Sequence, residues 1–430
     1  MCLFLLVFAG VGGPALVGIP VGMRRVYFLA GALLLSAWAA IGRPAGRGSR
    51  ALTVVVAFGL SLSLADLAGR HLLHPYLYRT PVQIFARVWP PIPVLNRYAA
   101  NVDYEGETYG DLADRSARKD LRVRRQITFR TDSNGFRNDP AREQQLDLVL
   151  LGDSFGLGSG ARQEKMWASL FLDRYGLHTY NLSVSYVSPW KELLTLKAES
   201  DRLRLSGKTV VLWALFTGND LDEDFGDVAL PARQPWWAQL HTAFGGFRSR
   251  SSLANLVYRV APSRRAQEAA DRREIIVRDI AGGRKMLFWT RYRAAKDRSP
   301  AAVMAHQNYP RLAAVFDEMN RVARAKGFTV GVTLIPTKEE VYDWLLDSSP
   351  PAASGFSVVI RDLCTKEGFP FLDLGPFFSA AARELYEGSG ELLFWPDDTH
   401  WNERGQELAA TVVYERLLRP VREARVRRVE

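Results

Sequence analysis

Cysteine is nearly absent: the 430 residues contain two, Cys2 and Cys364. One lies in the first apolar run and the other far into the soluble part, which excludes a disulfide framework and a thiolate metal site. Histidine is scarce too, with six in the chain, so imidazole chemistry has few candidates. No nucleotide loop, metal cluster or cofactor motif occurs, and the glycines after Ser154 do not form a phosphate-binding loop, so neither cofactor nor metal is expected. The net charge of +10 comes from scattered arginines. Without a basic helix or an aromatic RNA-binding signature, nucleic acid is not an expected partner. No internal repeat is visible.

Charge is missing from three stretches near the start, residues 2–23, 26–42 and 51–65. A membrane span takes about 20 mostly apolar residues, so the first two qualify and the third does if it runs past Asp66. Three transmembrane helices are therefore expected within residues 1–70, forming an anchor in the lipid bilayer. For the first, a cleaved signal peptide is the rival, although no Lys or Arg precedes it. Arg43, Arg47 and Arg50 follow the second run, against Arg24 and Arg25 after the first. That excess favours the second loop inside, leaving the rest of the chain on the periplasmic or extracellular side.

Residues 71–145 read as an extended, proline- and aromatic-rich connector followed by a small strand pair. Trp89, Tyr76 and Tyr78 are suited to a membrane interface. Asn134-Gly135 signals a turn, with Phe136 as an anchor. From residue 146 short apolar runs alternate with helical spacing: strands end at Leu151, Leu182 and Phe216, and again near Ile335 and Leu372. Such alternation implies an α/β fold, a doubly wound, mostly parallel sheet in a three-layer sandwich extending to about residue 418. It is interrupted over residues 221–308, an insertion expected on the substrate side. A basic tail, residues 419–430, is expected to fray.

The first of these strands ends in Gly152-Asp153-Ser154, followed by Gly156, Gly158 and Gly160. Ligands bind at the carboxyl ends of such strands, so a hydroxyl there is placed for chemistry, a helix cap being the rival role. Gly218-Asn219-Asp220 follows the strand ending at Phe216, on the same sheet edge, where a side-chain amide can face a developing oxyanion. Asp397-Asp398-Thr399-His400-Trp401-Asn402 supplies, in one loop, an imidazole to move a serine proton and a carboxylate to orient it.

These three blocks resemble those of the SGNH (GDSL-type) hydrolase superfamily, in its usual order and over roughly residues 146–418. The resemblance implies an SGNH, flavodoxin-like sandwich with Ser154 as nucleophile, Asp397 and His400 completing the triad, and Ser154, Ser183 and Asn219 forming the oxyanion hole. Ser183, in Asn181-Leu182-Ser183, stands where the family has glycine. His400-Trp401 and Ile335-Pro336-Thr337-Lys338 are also similar to the SGNH-like proteins of alginate O-acetylation. There the carboxylate lies two residues before the histidine, which makes Asp398 the rival to Asp397. The function so implied is a membrane-anchored serine esterase on O-acyl groups, acetyl above all, of envelope or exported carbohydrate or of a small acyl ester. An O-acyltransferase using the same triad beside a membrane acyl-donor protein is the alternative, and a non-catalytic carbohydrate-binding scaffold is the third reading.

Overall fold

The computed structural model describes residues 80–139, 145–239, 273–346 and 354–429, with Ser61, Ala65 and Asp66. The three expected spans lie outside the described residues, apart from Ser61, Ala65 and Asp66 in the third. Among those described, no helix is long and apolar enough to cross a membrane.

The stretch expected as an extended connector is folded onto the main body where it is described. Strand β1 (Ala86–Val88) pairs antiparallel with β2 (Asn96–Tyr98), and β3 (Asp103–Thr108) with β4 (Arg125–Arg130). Phe85, Tyr98, Phe129 and Phe136 are buried in the same apolar cluster as Val149 and Leu151 of the main sheet. Aromatic side chains of this size bury on the order of 150–250 Å² each, ample reason for a proline-rich segment to dock rather than extend. Gly135, at φ +80, makes the turn that delivers Phe136.

The main sheet contains β5 (Leu148–Gly152), β6 (Thr179–Asn181) and β7 (Val210–Phe216). A separate antiparallel hairpin follows, β8 (Ile275–Ile280) with β9 (Arg284–Trp289). Then come β10 (Thr329–Ile335) and β11 (Phe371–Asp373). The five-stranded order is β11-β10-β7-β5-β6, and every pairing in it is parallel. In register, Leu150 sits opposite Leu212, and Gly152 opposite Ala214. Both β5 and β7 are buried at every residue, the reason their sequences read as continuous apolar runs.

Successive side chains of these strands feed opposite cores. Val149, Leu151, Val211 and Trp213 pack against helices α2 (Pro189–Glu199), α3 (Tyr309–Lys326) and α4 (Gly355–Glu367). Leu148, Leu150, Leu212 and Ala214 face α1 (Trp167–Tyr175), α5 (Gly375–Ser389) and α6 (Glu403–Val413). The result is a three-layer α/β sandwich. Its helix starts are chemically marked: Ser188 caps α2 ahead of Pro189, and Asn402 caps α6 by accepting from the Gly405 amide at 3.0 Å. The basic tail does not fray over its described backbone but continues as a helix, Arg419–Val429, after a π-turn at Tyr414–Leu418.

Candidate active site

Gly152 ends β5, and the chain then turns sharply so that Ser154 stands at the carboxyl edge of the sheet. Three contacts hold the turn. Asp153 Oδ1 accepts from the Phe155 amide at 2.8 Å, while the Gly156 carbonyl accepts from Asn181 Nδ2 at 3.1 Å and from Trp167 Nε1 at 3.2 Å. Gly156 has no room for a side chain, since a Cβ there would lie 2.2 Å from Ser183 Oγ. Ser183 is thus buried packing under the nucleophile loop.

His400 reaches Ser154 from the loop between α5 and α6. An isolated bridge between Phe394 and Trp401 closes this loop, and Trp401, fully buried, stacks on Phe378 at 4.8 Å and meets Trp167 edge-on at 5.6 Å. So anchored, His400 places Nε2 at 2.7 Å from Ser154 Oγ and Nδ1 at 2.6 Å from Asp398 Oδ1. Phe155 lies against the imidazole, ring centres 5.0 Å apart.

The geometry corrects the assignment of Asp397. Its Oδ2 accepts from the amides of Gly110 at 2.6 Å and Val123 at 2.8 Å, and its Oδ1 from Arg125 at 3.2 Å. The chain turns at Pro396 and Asp397, and of the two aspartates it is Asp398 that faces His400. Asp397 instead ties the loop to the β3–β4 region.

Sequence reasoning missed Arg125 and Asp111. Arg125, buried on β4, binds Asp398 Oδ2 at 2.5 Å and Asp397 at 3.2 Å, neutralising the adjacent carboxylates and leaving Asp398 Oδ1 to His400. Asp111 accepts from Thr399, at the amide and the hydroxyl, both at 2.8 Å. Lys338, buried after β10, donates to the Asp398 carbonyl at 2.6 Å. Asp111, Asp398 and His400 carry possible metal-ligand atoms within 4.8 Å of one another, yet each already has these protein partners.

On the other side of the cleft, Asn219 follows β7 and lines the same cavity of about 100 Å³ as Ser154 and His400. Its Nδ2 donates to Glu223 Oε1 at 2.7 Å. Ser183 does not fill the role expected of it, because its amide donates to Asn181 Oδ1 at 2.9 Å and its side chain is turned beneath the loop. After Ser183 the residues that do line the cleft are Ser185, Tyr186 and Val187, of which Tyr186 is 67% exposed, with a φ of +61. A left-handed backbone costs a non-glycine residue roughly 1–2 kcal/mol, and here the Tyr98 hydroxyl, accepting from the Ser185 amide at 2.9 Å, helps to impose it. The expected insertion also contributes: Tyr292 lines the cleft, and the Leu287 amide of β9 donates to the Pro396 carbonyl at 2.8 Å, buttressing the histidine loop.

Burial lowers the basicity of His400, but the Asp398 carboxylate more than offsets it, and the imidazole pKa lies above its ordinary value. Asp153 is pushed up to about 6 by burial, against the amide of Phe155. Behind it, burial also raises Glu192 and Asp220 well above the usual carboxylate range.

Fold and site together define a three-layer α/β protein with a Ser-His-Asp relay at the carboxyl edge of a parallel sheet. No protein-family model matches the chain, and no curated protein does. Solved structures that resemble it include an acetyl xylan esterase, 11% identical with a TM-score of 0.34 over 63% of this chain and 98% of that one. Another is a member of the lipolytic protein G-D-S-L family from Veillonella parvula, 12% identical with a TM-score of 0.33 over the same shares. Likenesses at this level assign neither family nor activity, so the chemistry rests on the site's own atoms.

Proposed function

We propose that the chain is a membrane-anchored serine ester hydrolase of the SGNH type, working outside the cytoplasm on short O-acyl esters of carbohydrate. The observation that carries this is the continuous relay from Ser154 Oγ through His400 to Asp398, with both links under 3 Å. Ser154 attacks the ester carbonyl as His400 Nε2 takes its proton, and Asp398 holds the tautomer and stabilises the imidazolium. Asn219 Nδ2, whose second hydrogen is not used by Glu223, stabilises the oxyanion. Collapse expels the alcohol, protonated by His400, and leaves acyl-Ser154. Water, deprotonated by His400, then releases the acid and restores the serine. The small cavity supports an acyl group no longer than a few carbons, acetyl fitting best.

Turnover of para-nitrophenyl acetate by the full chain, with and without a glycan acceptor, is the test. Ser154→Ala and His400→Ala should each abolish it, and the double change should cost little more than either alone, because the pair acts as a unit. Acetate released without acceptor assigns a hydrolase, whereas product that forms only with acceptor assigns the O-acyltransferase. Full activity in Ser154→Ala would end the proposal.

A further inference from the structure

Among the described residues, the large apolar side chains left exposed are Val123, Tyr186, Trp236, Trp237 and Met304. Three of the five belong to one strip. Trp236 and Trp237, 73% and 64% exposed, follow Gln234, whose amide donates to the Pro91 carbonyl at 2.7 Å. Arg233 lies over the ring of Trp89 at 5.5 Å. Trp89, Trp190 and Leu230 pack on one small cluster, Ile92, Leu95 and Leu194. Trp190, its Nε1 donating to the Asp227 carbonyl at 2.6 Å, opens the same helix that Tyr186 precedes by a few residues. The aromatic strip therefore runs from the cleft mouth at Tyr186 through Trp190 and Trp89 to Trp236 and Trp237.

The lining of that cleft also includes Thr80, Pro81 and Val82. These residues follow the third uncharged run, residues 51–65, in sequence. Residues 80–82 of the cleft and Trp89 of the strip thus belong to the first continuous described stretch after the expected anchor. Tryptophan and tyrosine, amphipathic rings with one polar atom, are the side chains enriched at the membrane–water interface, and an exposed arginine such as Arg233 suits lipid phosphate. We infer that Trp236 and Trp237 seat this face on the lipid surface, and that the Ser154 cleft takes its ester from that surface as an amphiphile rather than as a free solute. This rests on the hydrolase and anchor readings above and adds to them the source of the substrate.

The test uses the full chain in phosphatidylcholine and phosphatidylglycerol vesicles, with and without brominated acyl chains that quench indole emission. With both tryptophans in the interface, the quenched share of the fluorescence falls in the Trp236→Ala, Trp237→Ala variant. With both in water that share rises, because unquenched emitters have been removed, and the inference is overturned. Turnover gives the second readout. The variant should lose about tenfold in kcat/KM on hexadecyl acetate held in the vesicles and nothing on soluble para-nitrophenyl acetate, which also reports that it is folded. Loss on soluble acetylated xylo-oligosaccharide together with a raised quenched share would make the strip a sugar platform and overturn the inference. If the unaltered chain fails to turn over para-nitrophenyl acetate, the hydrolase reading is what fails, and the quenching still decides the docking.

Discussion

Asp397 and Asp398 carry the same chemistry one position apart, and their partners assign them different work. Asp398 Oδ1 faces the imidazole at 2.6 Å, so Asp398→Asn removes the charge that stabilises the imidazolium and should lower kcat by about 10⁴. Asp397→Asn leaves the relay intact but weakens the acceptor of two buried amides. It should cost about 1–3 kcal/mol of stability, read as a lower unfolding temperature, with kcat changed less than about tenfold. A pH profile separates the two again. His400 works as a neutral base and its pKa is raised, so the acid limb of kcat/KM should lie above about 6.5, the ordinary histidine value. In Asp398→Asn the limb should move down, whereas a limb that stays in place would remove Asp398 from the role.

Among the elements, β4 matters to the site far more than its place before the main sheet suggests. Its residues alternate inward and outward, and Arg125, Ile127 and Phe129 are the buried ones. An arginine in phase with two apolar residues is the signal that could have revealed it, but one charged residue at a strand start reads as solvated. Arg125→Met should leave Asp397 and Asp398 buried side by side without the guanidinium that bridges them. That should lower stability by roughly 3–5 kcal/mol in thermal unfolding and kcat with it, and Arg125→Lys should recover only part because it lacks the planar fork. The parallel sheet and its helices were readable because β5 and β7 are apolar throughout and α3 repeats at helical spacing. The choice between the two aspartates and the failure of Ser183 as a donor were not, since both depend on which way a loop side chain turns. Asn181, found as a motif member, proves to hold the Ser183 amide and the Gly156 carbonyl rather than the substrate.

Across the whole molecule, the buried acids set how stability answers to pH. Asp153 is raised to about 6 and Glu339 to about 7, and Glu192 and Asp220 are raised well above the usual range, all chiefly by burial. A carboxyl whose folded pKa exceeds its unfolded value holds more protons in the folded state, so it stabilises at low pH and loses that contribution as pH rises towards the folded pKa. His400, also raised, loses its contribution in the same direction. Glu318, lowered to about 2 by Arg321 despite partial burial, opposes them only in acid, well below this window. Unfolding temperature should therefore fall between about pH 5 and pH 8 while kcat/KM rises through the titration of His400, so that activity and stability trade against each other. Glu192→Gln isolates one contributor: Glu192 Oε2 accepts from Trp213 Nε1 at 2.7 Å, a bond the amide oxygen can keep, and Oε1 has no partner among the described residues. That variant should flatten the decline of unfolding temperature with pH, measured by calorimetry, and leave the acid limb of kcat/KM where it was. An unfolding temperature that instead climbs across this range would mean that these carboxyls are ionised in the folded protein and that burial does not govern them.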